Sequence, residues 1–103
     1  MCRKAHGTAF ATYGRVEAGE FVVTSGQDDF VSYQSPPDLI RTFCKHCGST
    51  LQFIYTDRSG SLWLALGTLD DDPGIQAAQH IFVGSKAPWL DITDNFPQHV
   101  ALP

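Results

Sequence analysis

This 103-residue sequence holds no apolar run long enough to cross a membrane as a helix, which takes about 18 residues. Its N-terminus also lacks the apolar segment of a secretory signal. Positive charge is scarce: 7 Lys and Arg stand against 11 Asp and Glu, for a net charge of −4. That balance excludes the basic stripe of a dedicated nucleic-acid binder. Cysteine is scarce too, with three in all. An odd number, two of them closely spaced, excludes a disulfide framework and points to a reducing, cytoplasmic compartment. Nucleophile elbow, phosphate-cradling glycine loop and His-Glu-x-x-His motif are all missing. There is no internal repeat, low-complexity tract or linker, and little has helical periodicity.

What remains is one small domain with ordinary core material. Hydrophobic residues make up 43% of the chain, including seven Phe, three Tyr and two Trp. A chain of this size buries roughly 60–68% of its extended surface on folding.

The chain is organised around Cys44-Lys45-His46-Cys47-Gly48. Two cysteines separated by two residues can aim both sulfurs at one ion while the backbone turns. Gly48 can take the left-handed conformation that most residues avoid, letting nearby N–H groups face the sulfurs. Zinc suits thiolates, but a closed structural site needs four ligands and this motif supplies two. A thioredoxin-like redox pair would open a helix, whereas Thr50-Leu51-Gln52-Phe53-Ile54-Tyr55 reads as a strand. Two ordinary buried thiols are a further alternative. His46 is expected to face solvent, away from the cysteines.

Alternation and turn signals predict a mainly antiparallel β fold with strands near residues 9–15, 20–25, 29–34, 39–43, 50–56, 61–68 and 79–83. Residues 1–6 fit one or two helical turns closed by Gly7. Cys2, beside Arg3 and Lys4, is either an activated thiolate or an incidental terminal thiol. Pro36-Pro37 breaks the chain. Asp57-Arg58-Ser59-Gly60 connects a hairpin whose second strand, apolar on both faces, is expected inside the sheet. Asp70-Asp71-Asp72-Pro73-Gly74 lacks the spaced ligands of a calcium loop and reads as a solvated turn. His80 reads as a hydrogen-bonded structural histidine, and Trp89 as an aromatic to be buried.

Four segments together resemble the glutathione-dependent formaldehyde-activating enzyme and CENP-V family. They are Cys2-Arg3-Lys4-Ala5-His6-Gly7, the knuckle from Arg41 through Ser49, Leu66-Gly67-Thr68-Leu69-Asp70, and the stretch from His80 through Trp89. The resemblance implies an Mss4-like fold of coiled antiparallel sheets and two zinc ions. Cys44 and Cys47 match two of the four ligands of the family's structural zinc. Cys2 matches the last of three cysteines at the second, catalytic zinc. The implied activity is that of a carbon–sulfur lyase joining glutathione, or another small thiol, to formaldehyde as S-hydroxymethylglutathione.

The family's N-terminal segment, with both Cys-x-Cys pairs, has no counterpart in this sequence. Weak or absent catalysis is therefore expected, the alternative being a non-catalytic module on the same scaffold, zinc-binding or metal-free. A homodimer is also expected, formed through the strand edge that the missing strands would cover, with a zinc shared between two knuckles as one conceivable arrangement.

Overall fold

The computed structural model describes residues 2–35, 37–57 and 60–103, with only the backbone of Cys2. Met1, the Cys2 thiol, Pro36 of the proline break, and Arg58 and Ser59 of the hairpin connection lie outside the described residues. The chain forms two compact units, one from residues 13–71 and one from residues 1–12 with 72–103.

The first unit is a five-stranded antiparallel sheet. Its strands are β1 (Tyr13–Glu17), β2 (Phe30–Ser35), β3 (Leu39–Cys44), β4 (Thr50–Tyr55) and β5 (Ser61–Ala65), in the spatial order β1-β5-β4-β3-β2. Strands β2 to β5 form a meander of consecutive hairpins, and β1 closes onto β5. The β5 strand lies inside the sheet, as its two apolar faces require. Register places Arg15, Trp63, Phe53, Arg41 and Tyr33 in one row across all five strands.

Phe53 is the centre of that row. Its ring centroid lies 4.7 Å from that of Tyr13 and 5.6 Å from that of Tyr55, both edge-on, and stacks 5.7 Å from Trp63. Side chains on successive strand residues point to opposite faces, so Leu62, Gln52 and Thr42 face the other way. Thr42 Oγ1 donates to the carbonyl of Gln52 at 3.2 Å. Phe53 and Leu62 are only 8% and 4% exposed, yet no large side chain among the described residues is fully enclosed. Burying one such side chain contributes about 1.5–3 kcal/mol, so the core is thin and Phe53 matters disproportionately.

Three sequence expectations shift here. The first strand begins at Tyr13, not at residue 9, and the last ends at Ala65, because Leu66–Thr68 closes as a 3-10 turn. Residues 20–25 form no strand: a 3-10 turn at Ala18–Glu20 leads to extended chain, where Val22 is solvent-exposed and no neighbouring strand pairs with it. Gly26 then turns left-handed into a 3-10 turn at Gln27–Asp29.

The second unit has little regular structure. Helix α1 (Cys2–His6) ends where Gly7, at φ 65°, donates its N–H to the Arg3 carbonyl. Residues 79–83 form no strand either. They run alongside the chain end through single bonds: His80 N–H to Pro97 O, His99 N–H to His80 O, Val83 N–H to His99 O and Gly84 N–H to Val100 O. Phe82 adopts φ 57°, which a non-glycine residue rarely takes and which ends the extended run. His80 Nε2 lies 2.9 Å from both oxygens of Asp94, a hydrogen-bonded structural histidine as expected. Trp89 is not buried: it is 69% exposed, with the Arg3 guanidinium 5.5 Å from its ring centre. The acidic stretch is a solvated turn in which Asp72 Oδ1 accepts the N–H of Gly74.

Candidate functional site: the Cys44–Cys47 knuckle

Strand β3 delivers Cys44 to the end of the sheet, opposite Phe30 of β2. The backbone then makes one helical turn, in which Gly48 N–H donates to the Cys44 carbonyl at 2.8 Å. Gly48 takes φ 76°, the left-handed conformation anticipated from the motif. Cys44 N–H donates to the Ser49 carbonyl at 3.0 Å, and β4 begins at Thr50. The turn is thus clamped at both ends by its own backbone.

Both thiols are free, Cys44 half-buried and Cys47 exposed. Ser49 Oγ lies 3.1 Å from Cys47 Sγ. Hydrogen bonds from the Ser49 hydroxyl and N–H, and from the Cys44 thiol, lower the pKa of Cys47, with the nearby His46 adding a small electrostatic push. The turn brings the two cysteines close together, as the knuckle requires.

His46 faces away from them. Its Nε2 lies 2.9 Å from Asp29 Oδ1, and Lys45 Nζ lies 3.5 Å from the same oxygen. The hydrogen bond to His46, followed by the electrostatic effects of His46 and Lys45, holds the Asp29 carboxyl below its ordinary value. Lys45 N–H also donates to the Asp29 carbonyl at 2.9 Å, so the turn is tied to the chain entering β2. Asp29 escaped the sequence reading as a partner of the knuckle. The signal was there: pairing β2 with β3 so that Phe30 meets Cys44 puts Asp29 opposite Lys45.

The donor type fits zinc, since two paired thiols, one of them exposed and supported by the Ser49 N–H and hydroxyl, are good thiolate ligands. The donor number does not complete a site. No group of three or more His, Cys, Asp or Glu able to hold a metal occurs among the described residues. No candidate membrane-spanning helix occurs among them either.

The model of the glutathione-dependent formaldehyde-activating enzyme family matches residues 1–85. The chain belongs to that family. Its mainly β architecture, with little helix and a knuckle between β3 and β4, is consistent with the Mss4-like fold. The family match takes in the whole sheet and the knuckle and stops before Trp89. No curated protein matches the chain in sequence. Glutathione-dependent formaldehyde activation is accordingly the general activity to which the family points.

Proposed function

We propose that this chain is a carbon–sulfur lyase-type member of the family that acts weakly on glutathione and formaldehyde. The observation carrying this reading is the family match over residues 1–85, which includes the paired knuckle thiols. In the reaction the glutathione sulfur adds to the formaldehyde carbon. The electron pair of the broken C=O π bond moves to oxygen, which takes a proton, giving S-hydroxymethylglutathione. Zinc is the cofactor in this reading, and when bound it favours the thiolate form of a sulfur ligand.

Cys44 and Cys47 would hold zinc at about 2.3 Å through two thiolates, with water completing the set. Cys2 would be the catalytic cysteine and the ligand of a second zinc. That role rests on the match of Cys2 to the last of the three cysteines at the family's catalytic zinc. Open catalytic zinc sites usually rest on three protein ligands, which is why turnover is proposed to be weak.

A second reading keeps the scaffold as a zinc-binding or metal-free module without catalysis. It is favoured by the lack of a third metal donor among the described residues. Formaldehyde consumption with glutathione, corrected for the spontaneous reaction, separates the two. A rate above background that disappears in Cys2→Ser supports the lyase. A rate at background, with zinc still bound per chain in protein purified without chelator, supports the module.

Both readings place the protein in the cytoplasm, where free thiols persist, and as a homodimer. Of the two sheet edges, β1 carries the Arg15–Glu17 ion pair, while β2 carries no charged side chain. Uncharged edges are the ones that pair with another chain, so β2 is the proposed contact. Two antiparallel copies of β2 would put their knuckles at opposite ends, so this dimer would build no shared zinc. Light scattering should report twice 11.3 kDa.

A further inference from the structure

The knuckle thiols have a chemistry that the family's lyase reaction does not use. Residues three apart on a single helical turn are neighbours, with Cβ atoms about 5–6 Å apart. The bond from Gly48 N–H to the Cys44 carbonyl builds such a turn over Cys44 and Cys47. A disulfide needs Cβ atoms about 3.5–4.5 Å apart, so forming one requires this turn to draw the two side chains together. Access to the two sulfurs is unequal: Cys47 is exposed and Cys44 half-buried. Ser49 Oγ, 3.1 Å from Cys47 Sγ, adds a polar partner on the open side. No third metal-binding side chain among the described residues completes a site that would sequester the pair.

We propose that Cys44 and Cys47 form a thiol–disulfide exchange pair that accepts oxidation from small disulfides, with glutathione disulfide as the probe. The Cys47 sulfur attacks one sulfur of the small disulfide, whose S–S bond breaks and releases one thiolate with the electron pair. The Cys44 sulfur then attacks the Cys47 sulfur of the mixed disulfide and displaces the second thiolate. The protein dithiol loses two electrons and two protons, and the small disulfide is reduced to two thiols. This exchange rests on neither the lyase reading nor bound zinc. Cys47 is the entry point because it is the accessible sulfur, and Cys44 is the resolving one.

The test incubates the full chain, purified without chelator, with excess glutathione disulfide. Remaining thiols are then alkylated, and the bonds are located by peptide mass spectrometry. The expected result is a Cys44–Cys47 disulfide that dithiothreitol reverses. Cys44→Ser should stop at a mixed disulfide on Cys47, and Cys47→Ser should leave Cys44 modified at least tenfold more slowly. Three results overturn the proposal: both knuckle thiols recovered in alkylated form, glutathione found on Cys2 alone, or a mixed disulfide that persists on Cys47 in the unsubstituted chain. If a serine variant fails to fold, the map of the unsubstituted chain still decides.

Discussion

The two units of this chain solve the same problem in opposite ways. Residues 13–71 satisfy their backbone through strand ladders and gather Tyr13, Phe53, Tyr55 and Trp63 on one side of a sheet. Residues 1–12 and 72–103 rely on single bonds between irregular segments and leave Trp89 and Val100 in solvent. A ladder shares its cost of ordering over many bonds, whereas a laced pair of loops has each bond standing nearly alone. Resistance to local opening should therefore differ sharply between the two.

The strongest way to break the contrast is Phe53→Ala. Truncating a buried Phe costs about 3–5 kcal/mol, which approaches the whole stability of a small domain. Chemical denaturation should show a largely unfolded protein. A loss under 1 kcal/mol would mean that the ring cluster is not the core.

Gly84→Ala attacks only the laced unit. A Cβ there would meet Val100 Cγ1 at 2.8 Å and the Val100 carbonyl at 3.2 Å, and overpacking of this kind costs about 1–3 kcal/mol. Amide exchange should speed up at Val83, Gly84 and His99 while the amides of β3 and β4 stay protected. Loss of protection in the sheet as well would show that the two units open together.

Gly48→Ala probes the knuckle. Nothing lies within 4 Å of the added Cβ, so only the left-handed backbone, at φ 76°, is penalised. The expected cost is about 1–2 kcal/mol, with faster alkylation of Cys44 as the turn loosens.

The smallest effect is set by pH. Asp94 is held below its ordinary value of 3.8, first by the Phe96 N–H and then by His80. Because the folded pKa is depressed, its contribution is complete above the unfolded value and is lost as pH falls through the folded one. The stability difference between the parent chain and Asp94→Asn should hold at neutral pH and vanish in acid. A difference that grows on acidification would reverse the assigned sign.

Strands β2 to β5 were legible in the sequence because their alternation coincides with real ladders, and the knuckle because its geometry is local. The strand expected over residues 20–25 failed because β propensity is a statement about packing on neighbours, and Val22 has none. The strand expected at 79–83 failed at Phe82, whose left-handed backbone no pattern of side chains announces. Trp89 was misread because size alone does not ensure burial: an exposed ring can rest against a guanidinium, as it does with Arg3. Of the candidate site, the closeness of Cys44 and Cys47 was visible beforehand, while the Asp29 tether required the register of the β2–β3 hairpin, which pairs Phe30 with Cys44.

The sheet is drawn from one uninterrupted stretch, whereas the laced unit is assembled from both ends of the sequence. Order of synthesis therefore inverts order of settling. The meander of β2 to β5 can form as its hairpins leave the ribosome. Helix α1, made before any of them, must wait until residue 89 has emerged before Arg3 can meet Trp89. The segment carrying Cys2 is thus made before the sheet and finds its place after it.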